Sequence, residues 1–378
     1  VNATDFRRGR DDPYTIQPYA REHRDGVLDL DETVWNRRRC TEWFAWKYER
    51  NPYLSEVPVY VATFDGKIVG ARPLLAFRLA ANGTEFLALQ PSDTMVHPDH
   101  RGRGLFTRMT ERAIDDYTDR EPALFFNFPN GQARPGYRKL GWRTVGDRVT
   151  YYRIQNPKPL LSAYVDSDLG TAVGSVADPA LAGYNGLHDW AADAASEFRV
   201  ERVDGVPADS LAALYRRRVP DRIHAVRDEE FYRWRFASPE WTRRTYLAVR
   251  DGDPVAGVIA RTRTNADGIR LTQVADVVPL VGDEGRLGAV ASVFGRLLAD
   301  HRNSDLVAIS ESPLPHSFLR ERGFHRNDRF PFSRLKSHHR VLAVRPLDAN
   351  PATPWAANGV SLTDESNWLV SFAERDTA

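Results

Sequence analysis

The stretch "SDTMVHPDHRGRGLFTRM", Ser92–Met109, leaves a strand-like run through Pro98, enters Arg101-Gly102-Arg103-Gly104, and resumes an apolar rhythm at Leu105, Phe106 and Met109. A helix that starts just after such a turn exposes its first amides. They lack intrahelical acceptors and sit at the positive end of the helix dipole, so a phosphate can accept several of them. Glycines admit a ligand to the backbone without Cβ interference, and Arg101 and Arg103 add charge-assisted bonds. Spacing alone leaves a second reading open, a tight strand-to-helix turn with incidental arginines.

Working outward, "YTIQPY" from Tyr14 reads as a strand and "HRDGVLDLDETVW" as an amphipathic helix with Val27, Leu28, Leu30 and Val34 on one side. "VPVYVATF", Asp65-Gly66, "IVGARPLLAFRLA", Asn82-Gly83 and "TEFLALQPSDTMV" predict a meander of antiparallel strands joined by tight turns. After the opening stretch, a helix to about Tyr117, a short buried strand "ALFFNF" and a second helix "GQARPGYRKLGW" broken at Gly141 follow.

The pattern then recurs. Glu42-Trp43-Phe44-Ala45-Trp46-Lys47-Tyr48 answers to Glu230-Phe231-Tyr232-Arg233-Trp234-Arg235-Phe236, "VYVATFDGKIVG" to "TYLAVRDGDPVAG", and "YRKLGW" to "LRERGF" at Leu319–Phe324. A nearly constant offset in one order predicts a duplicated domain. The expected division is a first domain over 1–156, a linker over 157–195, a second domain over 196–345 and a tail over 346–378.

The strand, the turn, the following helix and "YRKLGW" together resemble the GNAT superfamily of acyl-CoA-dependent N-acyltransferases. The resemblance covers about Tyr14 to Arg153. It implies an α/β (α+β) fold of two tandem domains, each a mixed, largely antiparallel sheet flanked by helices. The family's R/Q-x-x-G-x-G/A pyrophosphate motif falls on Arg101, Gly102, Arg103, Gly104, Leu105 and Phe106, and Phe106 departs from the small residue expected there. The resemblance further implies acetyl-CoA or another acyl-CoA as co-substrate and places the thioester beside Thr94, Met95 and Val96, whose backbone amides are the candidate oxyanion donors. Tyr137 stands where the family places a tyrosine that protonates the departing thiolate. A phenol with an ordinary pKa near 10 can donate at neutral pH. The second copy has Leu319 at that position, which favours a role for the hydroxyl beyond packing.

Asp93 is the first candidate for the base, followed by Glu85, His97 or a chain of water; each of these side chains can also be read as a turn or capping group. In the second copy, "DVVPLVGDEGRLGAVASVF" lacks the Arg-Gly-x-Gly turn and puts Asp283 and Glu284 near it, which disfavours a pyrophosphate. This copy is expected to shape the acceptor side rather than bind cofactor. Trp43, Trp46 and Tyr48 read as core rather than an amine pocket, and the triplets Arg37–Arg39 and Arg216–Arg218 as solvated faces.

Composition sets the outer bounds. A chain of 378 residues, 42% of them hydrophobic and 11% aromatic, suffices for two folded domains. Lys plus Arg (52) against Asp plus Glu (51) leave +1, so no overall field favours nucleic acid or a membrane. Only five of those cations are lysines. Cys40, the single cysteine, excludes an internal disulfide, and His97, His100, His338 and His339 do not make a metal site. No signal or spanning segment is apparent, and a cytoplasmic location is expected. The leading expectation is an N-acetyltransferase acting on a primary amine of a small molecule or peptide. An aminoacyl or long-chain acyl transferase, or a non-catalytic acyl-CoA-binding protein, are the alternatives.

Overall fold

Each hairpin of the meander is closed by a pair in the left-handed region, Asp65-Gly66 and Asn82-Gly83, as two-residue turns require. Around those turns the computed structural model describes residues 12–164, 197–310, 314–329, 340–348, 350 and 355–376. The expected linker sequence beyond Tyr164, both histidines of "SHHR", and the tail prolines Pro351 and Pro354 lie outside them.

The first half runs β1 (Tyr14–Pro18), α1 (Arg24–Trp35), α2 (Thr41–Phe44) continued by a π-helical turn (Ala45–Glu49), β2 (Val59–Phe64), β3 (Lys67–Ala81), β4 (Thr84–Pro91) and β5 (Met95–Val96). It continues through α3 (Leu105–Tyr117), β6 (Leu124–Asn127), α4 (Arg134–Lys139), β7 (Arg143–Arg148), β8 (Thr150–Ile154) and α5 (Pro157–Tyr164). The second half supplies β9 (Arg199–Asp204), β10 (His224–Ala225), β11 (Thr242–Arg250), β12 (Asp253–Thr264), β13 (Arg270–Val278), β14 (Leu306–Ser310), β15 (His325–Arg326) and β16 (Arg340–Pro346). Among its helices, Glu229–Arg235 and Glu284–Asp300 repeat the roles of the 41–49 segment and of α3.

Two mixed, largely antiparallel sheets result, as expected. Their strand orders are β1-β2-β3-β4-β6-β16-β7 and β9-β11-β12-β13-β14-β8-β15. The two orders match position by position, but each sheet borrows its sixth strand from the other half. Val344 of β16 stands between Phe126 and Arg143 of the first sheet, and Tyr152 of β8 stands between Ala308 and His325 of the second. The contiguous division at 156 and 345 therefore does not follow the sheets. A strand left between two neighbours satisfies both rows of its backbone groups, so neither sheet is complete without the exchange.

The duplicated aromatic segments meet at the centre. Trp46 Nε1 donates to the carbonyl of Trp234 at 2.7 Å, and Trp234 Nε1 donates to the carbonyl of Trp46 at 3.1 Å. Such a reciprocal pair is what a pseudo-two-fold contact between like surfaces produces. Trp43, Trp46 and Tyr48 are each 2% exposed, so they are core, and their cluster runs on through Tyr215, Trp234 and Leu342 into Phe372.

Candidate active site

β4 and β6 pair in parallel only at Ala88↔Leu124 and Leu89↔Phe125. Beyond Pro91 the chain leaves the sheet through Ser92, Asp93 and Thr94 and returns as β5 against Gly70 and Ala71, while β6 runs on beside β16. The two strands part, and a cavity of about 850 Å³ opens between them. Thr94 and Val96 line one bank, Asn127 and Asn130 the other, with Arg101, Phe106 and Tyr137 at the end beside α3 and α4.

Gly102 and Gly104 have φ of 74° and 75°, where a side chain is strained, and a Cβ built on either meets nothing within 4 Å. Gly104 is the N-cap of α3 and offers no side chain to its amides, which stay open. Arg101 and Arg103 are exposed beside them. This geometry fits a pyrophosphate. The buried side chains of Met95 and Leu105 belong to the core, so those two residues have only backbone to offer. Phe106 is accommodated by a glycine elsewhere: its ring lies where a Cβ on Gly136 would approach to 2.8 Å, and it meets the Tyr137 ring edge-on at 5.4 Å.

Tyr137, on α4, is 5% exposed and accepts a hydrogen bond at 2.8 Å from Nη1 of Arg72, which also donates to Thr94 Oγ1 at 2.8 Å. Arg72 is wholly buried on β3, and its Nε and Nη2 have no hydrogen-bond partner. Because the phenolic oxygen accepts from Arg72, its own proton is free for the cavity.

Asp93 proves unsuited to the role of base. It is held in the left-handed region at φ 36°, and its carboxylate takes Lys47 Nζ at 2.6 Å and the Tyr48 hydroxyl at 2.7 Å, with Arg39 at 3.4 Å. Burial alone would raise its pKa, but Lys47, Arg39 and these hydrogen bonds hold the carboxyl well below the usual range. A carboxylate so stabilised is a poor proton acceptor, and its geometry suits the fixing of the turn between β4 and β5 instead. Its N–H is taken by Asp376 Oδ2 at 3.3 Å and that of His97 by the Val69 carbonyl at 2.9 Å, so neither of these two amides is open to the cavity. Glu85 sits far up β4 beside Arg78, and His97 lines a separate cleft, so neither lines this cavity. Of the Arg37–Arg39 triplet, Arg37 and Arg38 are solvated as expected, but the triplet is not helical and Arg39 is not solvated. The triplet follows α1, and Arg39 is 5% exposed between Asp31 and Asp93.

The far wall comes from the second half. Arg263 of β12, Gln273 of β13, Arg340 at the start of β16, and Arg375 and Asp376 near the chain end all line the cavity. Asp376 shares Lys47 with Asp93, its Oδ1 lying 2.5 Å from Nζ.

In the second copy the corresponding helix terminus is closed. Asp283 caps it by accepting the N–H of Arg286 at 3.2 Å, and the Arg286 side chain donates to the carbonyls of Pro279 and Leu280 across the turn. Leu319 repeats the local geometry of Tyr137: the N–H of Phe324 donates to its carbonyl at 3.1 Å, as that of Trp142 does to Tyr137. The hydroxyl is what differs.

Among the described residues, no group of three or more His, Cys, Asp or Glu is placed to hold a metal ion, and no helix is long and apolar enough to cross a membrane.

Two sheets of the order described, with the first splayed beside an open helix terminus, define the GNAT acyltransferase fold. Residues 15–145 match the family model "Acetyltransferase (GNAT) domain". No curated protein matches the sequence. Among solved structures, a GCN5-related N-acetyltransferase from Anabaena variabilis is similar at 12% identity and a TM-score of 0.60, over 88% of this chain and 73% of that one. A probable N-acyltransferase from Enterococcus faecalis is similar at 13% identity and 0.61, over 88% and 72%. Saccharomyces cerevisiae N-myristoyltransferase with bound myristoyl-CoA is similar at 12% identity and 0.60, over 96% and 86%. These likenesses are of fold.

Arg72, Lys47 and the far-wall residues were not read from the sequence as site residues. Two carried a signal: Arg72 interrupts the apolar run "IVGARPLL", and Lys47, one of five lysines, is set among aromatics. A cation in such a place needs a polar purpose.

Proposed function

We propose that the protein is an N-acyltransferase that moves an acetyl group from acetyl-CoA to a primary amine by direct attack within a ternary complex. The observation that carries this reading is the open helix terminus at Gly102–Gly104, which the Asp283-capped helix of the second copy lacks, set beside a cavity that also holds the Tyr137 hydroxyl. Arg101, Arg103 and the first amides of α3 would hold the pyrophosphate, and the amides around Thr94 to Val96 the thioester oxygen. Acyl-CoA supplies an activated carbonyl. Tyr137, kept by Arg72 with its proton facing the cavity, donates that proton to the departing sulfur. The proton lost by the amine leaves through water, since Asp93 is a poor acceptor.

A long-chain donor is the second reading. It is favoured by a cavity larger than an acetyl group requires and by the fold shared with a protein that binds myristoyl-CoA. Thiol release from acetyl-, octanoyl- and myristoyl-CoA across a panel of amines tests both. The acetyl reading requires the highest kcat/KM with acetyl-CoA, and a rise with chain length would overturn it in favour of the second. Thioester binding without thiol release from any pair would leave a binding protein.

A further inference from the structure

The charges on the far wall carry more than a shape. Six arginines line the cavity, Arg37, Arg39, Arg101, Arg263, Arg340 and Arg375, against two aspartates, Asp93 and Asp376. Both aspartates are already engaged. Lys47 Nζ lies 2.6 Å from one and 2.5 Å from the other, and Asp93 also has Arg39 at 3.4 Å and Arg37 at 3.9 Å. The anions of the cavity are thus balanced on the 37–47 side.

Away from these two aspartates the cations are in excess. Arg263 has one carboxylate near it, Glu240 at 3.6 Å, which is shared with Arg39 at 3.8 Å. Its guanidinium rests on the Trp241 ring at 4.3 Å, and its Nε is buried with no hydrogen-bond partner. Arg340 donates one bond, to the Phe128 carbonyl at 3.0 Å, and no carboxylate among the described residues lies within ion-pair distance of it. Behind Arg263, the buried Arg261 donates to Gln273, which itself lines the cavity, at 3.0 Å. Burial, with Arg235 and Arg263 nearby, pushes Arg261 well below the ordinary guanidinium range, and burial lowers Arg263 as well despite Glu240. Holding several guanidinium charges together in this way costs free energy that an anion arriving in the cavity would offset.

The pyrophosphate of a CoA ester has its own place at the turn, so this second cationic wall needs another anion. We propose that the acceptor is an amine that also carries a carboxylate, and that Arg263 and Arg340 receive that carboxylate while the amine faces the thioester. Planar guanidinium groups match a carboxylate with paired hydrogen bonds, and a charge-assisted pair separates an acid from its uncharged amide. The inference rests on the acyl-transfer reading for the amine, but the anion site can be probed without turnover.

The test uses the full chain and matched probes: phenylalanine, 4-aminobutyrate and β-alanine, each against its own carboxamide. Binding is followed by calorimetry with desulfo-CoA present, and turnover by thiol release from acetyl-CoA. At least one acid is expected to bind about 10- to 100-fold more tightly than its amide, the range of hydrogen bonds to a charged group. Arg263→Gln and Arg340→Gln should each remove most of that preference while leaving the affinity for acetyl-CoA unchanged. Arg263→Lys, which keeps the charge, should retain part of it, and a cooperative melt for each variant shows that it is folded. Equal binding of every acid and its amide, or of none, would overturn the proposal, as would loss of acetyl-CoA affinity in Arg263→Gln, which would assign the wall to the cofactor's phosphates. Preference for the acid in binding with no thiol release would leave the anion site standing and defeat the acyl-transfer reading alone.

Discussion

Tyr137 and Arg72 act as a unit at the residue scale. The arginine occupies one side of the phenolic oxygen, is itself buried, and has only neutral oxygens as its hydrogen-bond acceptors, Thr94 Oγ1 and Tyr137 Oη. It fixes the ring's hydroxyl at the cavity wall. Tyr137→Phe is therefore expected to lower kcat by about 10- to 1000-fold with little change in acetyl-CoA affinity. Single-turnover thiol release checks it, and an unchanged rate where chemistry limits would reduce Tyr137 to packing. Arg72→Met should lower kcat in the same way, and adding it to Tyr137→Phe should cost much less than the product of the two effects, because both act through one hydroxyl.

The turn before α3 and the helix that carries Tyr137 depend on one another at the scale of elements. Gly104 stays at φ 75°, which Asp tolerates better than most residues, so Gly104→Asp should leave the fold intact and set a carboxylate against the phosphates. Acetyl-CoA affinity is expected to fall about 100-fold or more by calorimetry, with a melting temperature near that of the wild type. Gly136→Ala acts across the two elements. The new methyl would meet the Phe106 ring at 2.8 Å, and overpacking of this kind costs about 1–3 kcal/mol. A denaturant midpoint unchanged by that substitution would show that the ring moves freely and is not what fits Phe106 into the motif.

Strand exchange joins the halves at the scale of the whole molecule. A chain ending at 156 would keep the phosphate turn but lack β16, leaving β6 and β7 without the strand between them, and would carry β8 with no sheet to enter. Such a piece is expected to show no cooperative melt; a folded fragment that binds acetyl-CoA would show that the exchange is dispensable. The same joining sets an acid limit. His224, on β10 beside β3, donates through Nδ1 to the Arg222 carbonyl at 2.6 Å and accepts at Nε2 from the Tyr215 hydroxyl at 2.8 Å, an arrangement that uses the neutral ring. Burial lowers it from 6.5 to about 4, and lowers His301 to about 4 as well. Each folded-state pKa lies below the unfolded one, so stability is complete above about pH 6.5 and is lost as pH falls toward 4, when the unfolded chain takes up protons that the folded one refuses. The loss is on the order of 3 kcal/mol per histidine. His224→Gln should flatten the fall of melting temperature between pH 6.5 and 4, and an equally steep fall would exclude His224 as a cause.

Local physics accounts for what was legible in the chain. Asp65-Gly66, Asn82-Gly83 and the glycines of the Arg-Gly-Arg-Gly turn adopt left-handed backbone that few other residues take up, and the 3.6-residue rhythm from Leu105 continues to Tyr117, so turns, helices and the duplicated order could be read from neighbours in sequence. The role of Asp93 could not. Its type and position beside the thioester strand suit a base, yet its protonation depends on Lys47 and Arg39, 46 and 54 residues earlier in the chain, and its amide on Asp376. The exchange of β8 and β16 was hidden for a similar reason: an apolar strand has the same pattern whichever sheet receives it. The far wall, with Arg263, Arg340 and Arg375, is assembled from segments that only pairing across the pseudo-two-fold brings to one cavity. Sequence alone determined the elements and the conformation of the Arg-Gly-Arg-Gly turn, because backbone conformation is local; tertiary structure decided charge, burial and partnership, because electrostatic energy depends on distance in space.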